Sequence, residues 1–133
     1  ILVSGANRSN DVPNDFTVPD HSHSYKKFIY IENPTATNSY PVFSVAAACT
    51  INSITHITDT GTVDFNLEER AEATPGTAGT DVFAADAQAS STNSVVTSFS
   101  NAGLAANTWL HYSASAVASS PTKLWVTITF TED

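Results

Sequence analysis

The 133-residue chain is predicted to be all-β. The expected form is a jelly-roll-like antiparallel β-sandwich of about eight short strands, preceded by an extended N-terminal arm. Three observations predict it. Charged residues make up only 14% of the chain, while β-branched and small turn-forming residues abound, a composition that suits pleated sheets better than helical bundles. Apolar residues recur with a period of two in several stretches. Clusters of Gly, Pro, Asn and Ser interrupt those stretches at short intervals. No segment carries a long 3.6-residue apolar rhythm, and no repeat occurs at solenoid spacing. The length suits one domain with a core of its own, which divides the chain into an arm at 1–24 and a sandwich at 25–133.

The arm, "ILVSGANRSNDVPNDFTVPDHSHS", lacks sustained periodicity and contains Pro13 and Pro19. Short strands are expected in it at Ile1–Val3 and Phe16–Val18. From Tyr25 the pattern changes. "YKKFIYIEN" is rich in aromatic and β-branched residues and ends at the turn signal Asn33–Pro34. "YPVFSVAAACTINSITHIT" supplies one or two further strands. Its Ile51, Ile54 and Ile57 are spaced by three, but Thr50, Thr55 and Thr58 weigh against a helix. A strand with a bulge explains the phase slip equally well.

"TVDFNLEER" is a half-buried strand, with Val63, Phe65 and Leu67 on one face and Asp64, Asn66 and Glu68 on the other. "AEATPGTAGTD" reads as a long surface loop. "DVFAADAQA" is ambiguous, because its alanines favour a helical turn and Val82–Phe83 favours strand. "SVVTSFS" is a strand and "NAGLAANT" a connecting loop. "WLHYSASAV" and "KLWVTITFT", joined by "ASSPT", are predicted to form an antiparallel hairpin. In the last strand Leu124, Val126, Ile128 and Phe130 face the core, while Trp125, Thr127, Thr129 and Thr131 face outward. If Leu110 and Tyr112 share that core, Trp109 and Trp125 both fall on the outer face of neighbouring strands. Two outward indoles make a good anchor for another chain.

Charge narrows the partners. Thirteen acidic residues against five basic ones give a net charge of −8, which repels phosphate backbones and anionic lipid surfaces. Neither nucleic acid nor membrane is expected as a partner, and no apolar run is long enough to span a bilayer. Cys49 is the single cysteine, so no intrachain disulfide forms, and its apolar setting predicts a buried, inert thiol.

Chemistry-bearing constellations are sparse. His21 and His23 in "HSH" have the spacing of half a metal site, yet His56 and His111 show no spacing that completes it. No metal and no cofactor are expected. Adjacent Glu68 and Glu69 point to opposite faces of a strand, so they make no acid/base pair, and Glu72 lies in the loop beyond them. Asp59 and Asp64 flank "TGTV" without calcium-loop spacing. No serine stands in G-x-S-x-G, and no Gly-rich phosphate loop occurs. No catalytic residue is assigned, and an enzyme is not expected.

Two stretches carry a resemblance. "FIYIENPTATNSYPVF" (Phe28–Phe43) resembles the opening strand and turn of a small β-sandwich domain that recurs in tailed-phage virion proteins. Gly79–Asp133, with "TSFSNAGLAANTWL" leading to "LWVTITFT", resembles its second half. Such domains occur in capsid decoration (cement) proteins, head fibres and tail fibres. The similarity spans roughly the last four-fifths of the chain, and its motifs are structural. It implies a jelly-roll-like subunit, usually trimeric, attached to the outside of a phage particle.

A compact domain with an arm fits a decoration protein better than a fibre shaft. The expected partners are copies of itself in a homotrimer and the major capsid protein of the same particle. Trp109, Trp125, Tyr112, Phe16 and Val18 are the expected interface residues. The rival expectation is a carbohydrate- or receptor-binding module at a fibre tip, with outward tryptophans stacked on sugar rings.

Overall fold

A computed structural model describes residues 23–133. Ten strands occur among them, β1 (Ser24–Glu32), β2 (Ser39–Val45), β3 (Cys49–Thr58), β4 (Thr62–Ala71), β5 (Thr80–Asp81), β6 (Ala87–Ala89), β7 (Ser94–Val96), β8 (Gly103–Leu104), β9 (Thr108–Ala118) and β10 (Lys123–Glu132). No helix occurs among the described residues. The expected strands Ile1–Val3 and Phe16–Val18, and His21, lie outside them.

The strands form two antiparallel sheets. Sheet A has the order β1-β10-β3-β7, with β8 also on β3, and sheet B the order β2-β9-β4-β5, with β6 also on β4. Each of the short pairs β5/β6 and β7/β8 follows one neighbour in succession, so each pair acts as one broken strand. Ten strands thus fill eight positions, ordered 1-8-3-6 and 2-7-4-5. This is a jelly roll.

The predicted β9–β10 hairpin does not form. β9 lies between β2 and β4 in sheet B, and β10 between β1 and β3 in sheet A. Both strands are central, so each already has both edges paired. The connection instead crosses from one sheet to the other through Ser119 and Ser120, both at positive φ (61° and 52°), and the buried Pro121. Positive φ at two successive residues turns the chain sharply out of the sheet plane. Asp59 holds the crossing in place. Its carboxylate accepts from the backbone N–H groups of Thr122 (2.9 Å) and Lys123 (3.0 Å) and from the Thr122 hydroxyl. These bonds favour the charged form and pull the Asp59 pKa down to about 2.

Alternation sets the core. Leu124, Val126, Ile128 and Phe130 of β10 are buried against Val63, Phe65 and Leu67 of β4 and Leu110 and Tyr112 of β9. Fully burying one such apolar side chain stabilises the fold by about 1.5–3 kcal/mol. The threefold isoleucine spacing in β3 resolves as a bulge. Phe130 pairs with Ile51 and Thr129 with Ser53, so Asn52 is the extra residue and both Ile51 and Ile54 reach the core. "DVFAADAQA" is bent chain leading into β6, with Val82 and Phe83 buried. No helical turn forms there, because Asn66 holds it to the sheet edge. The Asn66 amide donates to Phe83 O (3.1 Å), and its oxygen accepts from Phe83 N (3.1 Å), replacing ladder bonds between β5 and β6.

Candidate functional site

The outward face of sheet A is the most distinctive surface of the described residues. In β1, Ile29 and Ile31 enter the core, so Phe28 and Tyr30 point outward. Register then assembles two cross-strand rows. Tyr30 stands opposite Trp125, which stands opposite Ile57. Phe28 stands opposite Thr127, then Thr55, then Val95. The Tyr30 and Trp125 rings lie 6.0 Å apart at 38°. Phe28 is 77% exposed, Val95 59%, Tyr30 50% and Trp125 41%. Large apolar side chains this open, gathered on one face, form an exposed apolar patch and make this face the candidate site.

Its electrostatics differ from those of the whole chain. The two rows carry no charge. Lys26, Lys123, Glu32 and Asp133 stand around them, Glu32 directly opposite Lys123 and Asp133 accepting from Thr50 Oγ1 at 2.8 Å. Those four charges cancel, in a protein of net charge −8.

The outward face of sheet B is polar and closed on itself. Arg70 pairs with Glu68, Gln88 donates to Asp64 at 2.9 Å, Ser115 bonds Asp86, and Ser39 Oγ meets His111 Nε2 at 2.8 Å. Glu69 turns to the other side of its strand and accepts from Asn101 Nδ2 (2.9 Å) and Ala105 N (2.7 Å). The carboxylates near this strand therefore serve as structural acceptors.

The expected interface residues separate. Trp125 is on the open face of sheet A. Trp109 is half-buried on the far side of the molecule, opposite Arg70 and Ser44 in sheet B. The two indoles therefore do not share a face, which corrects the expectation of neighbouring outward tryptophans. The reason is the sheet crossing between β9 and β10. Tyr112 is fully buried, with its ring 5.6 Å from Tyr40 and 5.8 Å from Phe65, so it has no surface to offer a partner. Phe16 and Val18 lie outside the described residues. Sequence reading passed over Phe28, Tyr30 and Val95. For the first two the signal was present, since they alternate with Ile29 and Ile31.

Other groups bear on chemistry. Among the described residues no three His, Cys, Asp or Glu side chains gather as metal ligands. His23 stacks on Tyr25, 6.4 Å between ring centres. His56 is buried in the core, edge-on to Phe65 at 5.5 Å, with neither ring nitrogen hydrogen-bonded. Burial pushes its pKa down. Cys49 is buried, and burial together with Asp133, Glu132 and Glu69 pushes its thiol pKa up, away from the nucleophilic thiolate. A cleft of about 260 Å³ opens between the sheets beside it, lined by Tyr25, Lys27, Val45, Phe130 and Glu132. Lys27 Nζ sits 5.7 Å above the Phe43 ring there.

A scan of protein-family models finds no match, and a search of curated proteins finds none either. Solved structures do resemble the chain. The capsid asymmetric unit of cyanophage Pam1 contains a chain 12% identical to it, with 100% of both chains covered and a TM-score of 0.50. That likeness carries the fold. Two structures of infectious bursal disease virus, strains Gx and Gt, align with 85% of this chain and 33% of theirs at 12% and 13% identity. Their TM-scores, 0.35 and 0.36, are too low to bear on fold or function.

Proposed function

We propose that this chain is a non-enzymatic structural protein of a virus particle. Its specific role is a homotrimeric decoration protein that binds the major capsid protein on the outside of a bacteriophage head and reinforces it. The observation that carries this reading is the eight-position jelly roll, matched over the full length of both chains by a chain in a cyanophage capsid asymmetric unit. The resemblance of Phe28–Phe43 and Gly79–Asp133 to phage virion domains supports it independently. Attachment would come from many shallow contacts of several copies, multiplied by avidity. Phe16 and Val18 of the arm are assigned to contact with the shell.

Co-sedimentation of the full chain with undecorated heads tests the proposal. The expected result is saturable pelleting with the heads, and stained or frozen particles should show added density outside the shell. Deleting residues 1–22 should weaken the binding. Absence of co-sedimentation across micromolar concentrations would overturn the decoration role.

The rival, a sugar-binding fibre tip, fits the site less well. Trp125 has Tyr30 and Ile57 beside it in its cross-strand row, and no carboxylate or carboxamide adjoins it in those rows to grip sugar hydroxyls. Saturable binding to a glycan array that Trp125→Ala abolishes would reverse this preference.

A further inference from the structure

We propose that the outward face of sheet A is where copies of this chain meet. Phe28 of one copy lies against Val95 of the next in a ring that closes on three. The inference deepens the virion reading above, from which it takes only the number three. Its basis is the placement of the two most exposed apolar side chains. Phe28 and Val95 occupy the same cross-strand row at its opposite ends, on β1 and β7, the two edge strands of sheet A. Three inter-strand spacings separate them, roughly 14 Å. A patch with one apolar anchor at each edge suits a head-to-tail contact. Such a contact generates a closed ring when the rotation allows.

Charge selects a second copy, and the open apolar area supplies the centre of each contact. Phe28, Tyr30, Trp125 and Val95 together expose on the order of 400 Å² of apolar surface. A head-to-tail ring divides that area between two contacts, roughly 200 Å² in each, about a quarter of the ~800 Å² each partner gives to a standard interface, and Thr55, Thr127 and Thr129 extend the same face. Copies of a chain with net charge −8 repel one another. They approach at least cost through a face without charge in its rows and with Lys26 and Lys123 balanced by Glu32 and Asp133 at its border. A basic partner would instead select the acidic remainder of the surface.

Light-scattering mass of the full chain, without particles, tests this. At micromolar concentration the wild type should have three times the 14.1 kDa chain mass. Phe28→Glu and Val95→Glu should each reduce it to one chain with an unchanged circular dichroism spectrum. Ala116→Glu places the same charge on the exposed outward face of sheet B and should leave three. The double variant Phe28→Lys with Val95→Glu should regain the trimer, since the two positions meet across the contact.

A wild type of one or two chains, or a trimer that survives Phe28→Glu and Val95→Glu, overturns the inference. Equal dissociation by Ala116→Glu also overturns it. Particle attachment is read separately. A trimer that obeys this pattern but ignores phage heads leaves the interface standing and defeats the decoration role. A single chain that binds heads, and loses them with Phe28→Glu, defeats the copy contact and assigns the face to the shell.

Discussion

The two outward faces of this sandwich are built on the same kind of sheet and finished in opposite ways. On sheet B several polar groups in the middle of the face have partners from their own chain, including Arg70 with Glu68, His111 Nε2 with Ser39 and Asp64 with Gln88. Asn66 is the extreme case, buried and bonded to Phe83 and Asp86. On sheet A the corresponding positions hold threonines and four open apolar side chains, and no described residue lies over them. The difference teaches that burial, and with it the demand for hydrogen bonds, is divided unevenly. Sheet B is secured from inside and outside, whereas sheet A is secured from inside and at its ends. Among the described residues its outer face makes few contacts, which is the ground for the copy contact proposed above.

The largest test of that contrast is Asn66→Ala. It should lower the unfolding free energy by about 2–4 kcal/mol, because the Phe83 N–H and C=O lose their partner at ~1–3 kcal/mol each. Urea denaturation reads it directly. A loss below ~0.5 kcal/mol would show that sheet B is not held from outside.

Acid tests sheet A from inside. His56 sits on the same strand as the open Thr55 and Ile57 but points inward, beside Phe65 and across from Val126, without a hydrogen bond. Burial lowers its folded pKa below its unfolded value near 6.5. Below that pH the unfolded chain binds more protons, so stability falls as pH drops from about 6.5. His111, also lowered by burial and by Arg70, acts with the same sign. His56→Leu should flatten the stability slope between about pH 6.5 and pH 5. An unaltered slope would assign the acid sensitivity to His111.

The end clasp gives a smaller effect at lower pH. The folded pKa of Asp59, about 2, lies below the usual aspartate value. Its contribution is present above that usual value, near 4, and is lost as pH falls toward 2. Asp59→Asn should remove this limb of the stability profile while leaving the profile above pH 5 parallel to wild type. The smallest effect belongs to the outer face itself. Phe28→Ser should change the unfolding free energy of the single chain by less than ~0.5 kcal/mol, read at a dilution where wild type and variant have equal mass. A loss above ~1 kcal/mol would place the face in the fold rather than in assembly.

Much of the architecture was legible in the residues. The β10 alternation assigned Leu124, Val126, Ile128 and Phe130 to the core, and all four are buried there. The β3 phase slip was compatible with a bulged strand, and a bulge occurs at Asn52. Of the candidate site, Trp125 was readable because its strand alternates cleanly. Phe28 and Tyr30 were readable on the same rule and were passed over. Val95 was not, since "SVVTSFS" offers two adjacent valines and only pairing with Thr55 decides which one turns outward.

Sequence proximity misled at the last turn. "ASSPT" joins two good strands over a short gap, and a hairpin is the local expectation. Whether such strands pair or part depends on what else claims their edges. β2 and β4 claim β9, and β1 and β3 claim β10. Tyr112 kept the core side that its alternation with Leu110 indicates, while Trp109 moved with β9 to the opposite side from Trp125.

By itself the amino-acid order determined that this protein is built of strands, which side of most of them is oily, and where they stop. Those properties reside in a single strand, through its period of two and its turn residues. Only the tertiary structure decided which strands share a sheet, which aromatic rings share a face, and which face the described residues leave uncovered. Backbone hydrogen bonds between strands are nearly blind to residue identity, so partner choice is settled by the packing of the whole sandwich at once.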